Sequence, residues 1–474
     1  TGRRSNALSL QSYHYAVNNT TMSDNIQLYR MINGRIPEAG KRRLLLLTGA
    51  RQTGKTTLAK GKYPDLRYVN LDAPENREAI RQISSSLWAK DIGPAVLDEA
   101  QKEPVIFDKI KYAFDDGTLA FSVLLGSSQI LLLKKIRETL AGRISIFELW
   151  PLMMCEIFNN KDTAPETLPL VDDIFSSMDF DDIFGNQPSV LLAEEDAWRR
   201  NAQNYILQWG GMPALLPLDA AERFQWLKDY EYTYLERDVA DLVRLDDLMP
   251  FRKFQRLAAL RSGCLLSYAE LARDAGVSID TARRYLEYLR LSYQTWLLSP
   301  YQVNLTSTVI KTPKTYWLDV GLIRHLTGVK EVVSGELYES MVVGELVKWM
   351  KTMARDGDLY FYRTRSGLEV DILFESQAGV VGMEIKSRSI LASKDTRGLR
   401  EVAISLGDKW RGGMVIYPGN ELKRIDEPHI WAVPSHRLFT GKVGGRGQRS
   451  EVGRMRGQRE RMKNEETEDR GQRS

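Results

Sequence analysis

Residues 49–57, "GARQTGKTT", place two glycines, a lysine and a threonine at the spacing G-x-x-x-x-G-K-T. That set can grip a polyphosphate. Glycines let the chain turn tightly enough for successive amide N–H groups to converge on anionic oxygens. Lys55 stands where it can reach the outer two phosphates, and the Thr56 hydroxyl where it can ligate Mg²⁺. The candidate nucleotide cradle is Gly49, Ala50, Arg51, Gln52, Thr53, Gly54, Lys55, Thr56 and Thr57. Downstream, "GPAVLDEAQ" ends an apolar run in Asp98 and Glu99. Asp98 would hold Mg²⁺ through water and Glu99 would polarise the attacking water, with a solvated strand edge as the plainer alternative. "FSVLLGSS" ends at Ser127, which fits either a sensor of the γ-phosphate or a plain serine turn. Arg143 fits an arginine finger, in cis or from a neighbouring subunit, and fits an ordinary surface arginine equally well.

A second constellation lies near the other end. In "GLEVDILFE", alternation puts Val370, Ile372 and Phe374 on one face and Asp371 and Leu373 on the other. In "GVVGMEIKS", Met383 and Ile385 share a face, and Glu384 and Lys386 share the opposite one. The intervening "ESQAG" is a turn, so the two runs should pair as a hairpin. Asp371, Glu384 and Lys386 then meet on one surface. Two carboxylates can hold Mg²⁺, and a nearby lysine can polarise a water for attack on phosphate. In the preceding helical stretch, Glu345 falls on the apolar stripe of Tyr338, Met341 and Trp349. A carboxylate there is costly without a partner. An amphipathic hairpin with a solvated face is the plainer alternative.

Elements must position these groups. Between 41 and 150, "RLLLLT", "LRYVNLD", "GPAVLDEA", "FSVLLGSS" and "GRISIFEL" are short apolar runs separated by amphipathic stretches. That rhythm predicts a parallel sheet with crossover helices, the phosphate loop joining a buried strand to a helix. Residues 254–304 read as a helix and then "SYAELARDAGVSIDTARRYLEYLRL", two helices about a glycine turn, followed by candidate wing strands. Asp280, Thr281, Arg283 and Arg284 open the second helix, where a recognition helix would meet a DNA groove. Such a helix pair also serves purely for packing.

Together "LTGARQTGKTT", "VLDEAQ", "LLGSS", "LAGR…LWPL", "GGMP", "YLERDV" and "YWLDVGL" resemble the bacterial and archaeal AAA-type ATPases that carry a C-terminal domain of unknown function. The resemblance covers about residues 28–435. It implies ATP and Mg²⁺ as cofactors, with Lys55, Thr56, Asp98 and Glu99 in the nucleotide roles. The spacing D-x₁₂-E-x-K of Asp371, Glu384 and Lys386 resembles the PD-(D/E)xK restriction-endonuclease-like fold, whose relatives often add an acid from the preceding helix. Here that residue is expected to be Glu345.

Composition narrows the rest. The chain has 474 residues, 43% hydrophobic and 27% charged, and lacks an apolar run of the roughly 20 residues needed to span a bilayer. The first residues carry no apolar secretory core, and Met22 and Met31 are candidate natural starts. Cys155 and Cys264 show no pairing pattern, which suits a reducing, cytoplasmic compartment. The four histidines make no zinc-type spacing. Residues 441–474 hold 10 Lys/Arg and 6 Asp/Glu and repeat "RGQR" three times; the other 440 hold 56 of each sign. The net +4 therefore reveals no basic groove in the folded part.

The expected architecture is α/β. It comprises an N-terminal extension (1–30), a P-loop NTPase domain of AAA type with a parallel sheet (31–158), an acidic linker or lid (159–190), a helical region (191–250), a winged-helix-like region (251–330), a restriction-endonuclease-like α/β domain (331–440) and a disordered basic tail (441–474). The expected function is Mg²⁺-dependent ATP hydrolysis coupled to a DNA-binding or nuclease-like C-terminal unit. The alternative is an ATP-switched regulatory or interaction protein whose endonuclease-like unit is inactive. ATP is the expected partner, with DNA and a homo-oligomer left open and no membrane.

Overall fold

The computed structural model describes residues 28–126, 136, 138–176, 178–235, 248–301, 311–329 and 333–442. Its first sheet is built from β1 (Arg43–Thr48), β2 (Arg67–Asn70), β3 (Ala95–Asp98), β4 (Phe121–Gly126) and β5 (Ile144–Glu148), in the order β2-β3-β4-β1-β5. All pairings are parallel. The four leucines of β1 are at most 1% exposed. Leu44 and Leu46 pack with Ile106 and Ile110 on one face, and Leu45 and Leu47 with Leu58 and Ala59 on the other. A strand covered on both faces must be apolar throughout, which is why its sequence does not alternate. Helix α1 (Lys55–Lys62) leaves the loop after β1, and α2 (Val105–Asp115) covers the opposite face.

After β5, α3 (Met154–Asn159) leads into the segment expected as a linker or lid. In it Leu170, Ile174, Phe180 and Phe184 are at most 1% exposed, and Phe175 meets the Phe374 ring edge-on at 4.4 Å between centroids. Its acids are interspersed with core residues rather than forming a free acidic face.

The middle of the chain begins with α4 (Ala193–Trp209) and α5 (Ala220–Tyr230). It continues as α6 (Met249–Leu260), β6 (Cys264–Leu265), α7 (Tyr268–Ala275), α8 (Ile279–Leu291), β7 (Thr295–Pro300) and β8 (Lys314–Trp317). The Ser267 hydroxyl caps α7 and the Ser278 hydroxyl caps α8, while Gly276 ends α7 with φ 76°. These are the residues that a two-helix turn requires. Strand β8 lies antiparallel between β6 and β7.

The chain then runs through α9 (Val320–Thr327), the 19-residue α10 (Gly335–Met353), β9 (Asp358–Arg363), β10 (Glu369–Ser376), β11 (Gly379–Ile385), α11 (Arg397–Leu406), β12 (Trp410–Tyr417), β13 (Lys423–Asp426) and β14 (Ile430–Pro434). Strand β7 pairs in parallel with β9 through Ser299↔Tyr360 and Pro300↔Phe361. The middle and C-terminal units therefore share one nine-stranded sheet, β13-β14-β12-β11-β10-β9-β7-β8-β6. One hydrophobic cluster runs from Trp150 and Met154 through Phe251 and Leu286 to Val343 and Val433.

Two family-like segments are structural. Gly211 N–H donates to Asp319 Oδ2 (2.8 Å) and Leu322 N–H to Asp319 Oδ1 (3.0 Å), so the buried Asp319 both caps α9 and holds the Gly-Gly turn after α4. A Cβ on Gly210 would lie 2.1 Å from Asp319 Oδ1, and one on Gly211 2.3 Å from Leu152 O. "GGMP" and "LDVG" are two halves of one packing knot.

Candidate functional site

The phosphate loop lies between β1 and α1. Gln52 (φ 62°) and Gly54 (φ 91°) adopt the left-handed conformation that exposes successive amides in a turn. A Cβ on Gly49 would sit 2.1 Å from Leu149 O, so only glycine fits at the loop's start. Lys55 Nζ donates to the Gly49 and Ala50 carbonyls at 3.0 and 2.7 Å, and Thr53 Oγ1 to Ala50 O at 2.9 Å. Thr56 Oγ1 donates to Asp98 Oδ2 at 2.7 Å, bringing loop and strand end together. Asp98 Oδ2 also accepts from the Tyr68 hydroxyl (2.8 Å), and its Oδ1 from Glu99 N–H (2.9 Å). Burial and this carboxylate push the Tyr68 phenol above its usual range. Glu99 has φ 54°, an uncommon conformation for a non-glycine residue, directly after the β3 strand. Beside the loop opens a cavity of about 580 Å³ lined by Tyr29, Arg30, Asn33, Gly54, Thr57 and Pro213 among others.

Of the other expected residues, Arg143 and Glu345 fall elsewhere. Ser127 lies outside the described residues, although Gly126 ends β4 beside β1. Arg143 precedes β5, whose pairing Leu44↔Ile144 and Thr48↔Glu148 runs parallel to β1. It therefore lies at the opposite end of the sheet from the loop, about 16 Å away at roughly 3.3 Å per residue. There it forks onto Asp115 at 2.6 and 2.9 Å, so within one chain it does not reach the phosphates.

Glu345 is likewise not with the other C-terminal acids. Its Oε2 accepts Met154 N–H at 2.8 Å, and its Oε1 pairs with the Lys348 ammonium, which also donates to Leu152 O at 3.1 Å. The partner that an apolar stripe demanded is a lysine one turn away. From α10 it is Glu339 that lies near Asp371.

Strands β10 and β11 pair antiparallel with Ile372↔Met383, a register that sets Asp371 and Glu384 opposite each other. Ile385 N–H donates to Asp371 Oδ2 at 2.8 Å, and Lys386 Nζ lies 2.5 Å from Glu384 Oε1. Val370 packs with Leu373, not with Ile372 and Phe374, because the β9–β10 register shifts between Val370 and Leu373. Lys314 enters from β8, with Nζ 2.7 Å from Glu369 Oε1, 3.2 Å from Glu339 Oε1 and 4.0 Å from Asp371 Oδ1. Burial, and then Asp371, push Glu384 up to about 8. Burial raises Asp371 and Glu339 as well. Among the described residues, no group of three or more His, Cys, Asp or Glu is arranged to hold a metal ion.

Residues 41–158 match the model of the AAA domain. The chain carries an AAA-type ATPase domain. Beyond it, residues 200–332 match a domain of unknown function (DUF8612) and residues 334–438 another (DUF4143). Uncharacterized proteins of Mycobacterium bovis and Mycobacterium tuberculosis are each 28% identical over 407 residues, 84% of this chain and 81% of theirs. Among solved structures, a Walker-type ATPase of Pyrococcus abyssi is similar at TM-score 0.39 and 15% identity, over 64% of this chain and 99% of that one. A signal-transduction ATPase with numerous domains from Pyrococcus horikoshii, with a tetratricopeptide repeat sensor, is similar at TM-score 0.23 and 11% identity, over 66% and 45%. Likenesses this loose carry no weight for function.

The AAA domain is tied to the rest of the chain at its loop end. Arg30, just before the segment expected as its start, is 7% exposed. It donates to Thr53 O (2.8 Å) and Trp150 O (2.6 Å) and pairs with Glu156. Tyr293, between α8 and β7 with φ 63°, reaches Thr48 Oγ1 at 3.3 Å and meets Trp150 edge-on. Tyr230 donates to Arg51 O at 3.3 Å. None of Tyr68, Arg30, Tyr230 or Tyr293 carries a sequence signature; only proximity to the loop in space marks them. No helix among the described residues is long and apolar enough to cross a membrane.

Proposed function

We propose that the chain is a Mg²⁺-dependent ATPase whose hydrolysis cycle sets the state of a DNA-facing middle and C-terminal unit. The observation that carries this proposal is the 2.7 Å contact between Thr56 and Asp98, which unites the phosphate loop with the end of β3. Both are hard oxygen donors suited to Mg²⁺, which when bound would neutralise charge on the β- and γ-phosphates. Lys55 stabilises charge on the transferring phosphoryl group, and Glu99 polarises the attacking water. The cavity beside the loop lies within the size range of ligand pockets and has room for the base and sugar.

Tyr293 and Tyr230 link the loop to the middle unit, where the helix–strand–helix–helix–strand–strand order supports a winged helix. The exposed face of α8 carries Arg283, Arg284 and Arg290 against Asp280 and Glu287, a modest positive surplus for a DNA backbone. The hairpin of Asp371, Glu384 and Lys386 supports an endonuclease-like unit. Its inactive version is favoured by one observation, the lysine already among its acids.

Phosphate release and calorimetric binding test the nucleotide half. Lys55→Ala should bind no ATP, and Glu99→Gln should bind it with hydrolysis reduced about 10²–10⁴-fold. A Lys55→Ala protein that turns over like wild type overturns the assignment. For DNA, an ATP-sensitive mobility shift weakened by Arg283→Glu and Arg284→Glu is expected, with no cut products.

A further inference from the structure

We infer that Lys314, delivered from the middle unit, is the resident cation of the acidic cluster in the C-terminal unit, so that this cluster holds no divalent ion while β8 stays in the sheet. This rests on Asp371, Glu384 and Lys386 forming a nuclease-like set and is independent of the nucleotide loop.

Lys314 opens β8 with its backbone paired on both sides, to Leu265 of β6 and to Leu298 of β7. Its side chain is 5% exposed. A lysine at that depth is tolerated only with anionic partners, and it has Glu369, Glu339 and Asp371 within 4.0 Å and the Phe361 ring 5.6 Å away. Burial works against its charge, yet Glu339, Asp371 and Glu369 hold its ammonium above the usual range. Arg363 reaches the other Glu369 oxygen at 3.5 Å, and Lys386 takes Glu384. Every acid of the cluster thus has a basic partner from the chain itself. A divalent ion touching Asp371 at just over 2 Å would have to share the site with the Lys314 ammonium, 4.0 Å from the same carboxylate. Two cations that close in a buried site repel, so the resident ammonium disfavours a divalent ion. Burial and three carboxylates hold the ammonium there, on a strand hydrogen-bonded into the shared sheet.

The test uses the full chain without nucleotide and titrates Mn²⁺, with free ion followed by electron paramagnetic resonance. Wild type and Lys314→Arg should take up no Mn²⁺ that depends on Asp371. Lys314→Gln should gain one Mn²⁺ per chain, bound at least tenfold more tightly, and lose it in Lys314→Gln/Asp371→Asn. If Lys314→Gln fails to fold, judged by circular dichroism, Lys314→Met/Glu369→Gln removes the closest ion pair as a unit and should show the same gain. Mn²⁺ uptake by wild type that Asp371→Asn abolishes overturns the inference. So does a folded Lys314 variant that gains none, or one whose gained ion is indifferent to Asp371→Asn.

Discussion

Glu345 and Lys348 are 3% exposed each, and their charges meet beneath α10 against the backbone of residues 152–154. Changing Glu345 to Met leaves a buried ammonium whose remaining partner here is Leu152 O, and an N–H at Met154 without its acceptor. Breaking a buried pair from one side costs about 3–5 kcal/mol. Lys348→Met strands the carboxylate instead and belongs in the same range. Removing both as Glu345→Met/Lys348→Met eliminates the charges and leaves chiefly the Met154 N–H, at about 1–3 kcal/mol. The double variant should thus be more stable than either single one, with a coupling of at least about 2 kcal/mol in the cycle. Urea titration followed by circular dichroism measures this, provided the slopes agree among the four proteins. Single variants within about 0.5 kcal/mol of wild type, or strictly additive losses, would refute a structural clamp.

Other outcomes follow from the same geometry. Arg30→Met removes two charge-assisted bonds to Thr53 O and Trp150 O and should weaken ATP binding about tenfold, read by calorimetry. Gly210→Ala forces a Cβ against Asp319 at φ 75° and should cost at least about 2 kcal/mol in denaturant unfolding. Burial, with Arg200 beside it, pushes the His436 imidazole down to about 4 from an unfolded value near 6.5. The folded state then binds fewer protons, so stability is lost as pH falls between those values, and His436→Gln should flatten that arm. Glu384 works the other way. Its folded value of about 8 exceeds the unfolded one near 4.3, so stability falls as pH rises through that window, and Glu384→Gln removes the slope.

What the sequence reveals depends on how local the chemistry is. The loop at Gly49–Thr56 and the acids after β3 are legible because each is a short run that one strand end must present. The hairpin of Asp371 and Glu384 is legible from alternation, but the register shift before Leu373 is not, and it reverses the face of Val370. Glu345 shows the limit of periodicity: a helical stripe says that a carboxylate is buried and needs a partner, not which one. Arg143 could have been placed better, since a residue before a strand parallel to β1 must lie at the end away from the loop. Lys314, Tyr68 and Arg30 act through tertiary proximity alone, and nothing in their neighbourhoods announces it.

The backbone bonds between β7 and β9 make the nine-stranded sheet a single plank. Helix α8, packed beside β7, therefore cannot swivel independently of the acids on β10 and β11, two and three strands away. In the cycle proposed above, a movement at the phosphates would reach this plank through Tyr293 and the shared hydrophobic cluster. Under the function proposed above, DNA contact at α8 and movement of the acidic cluster would then be one mechanical event.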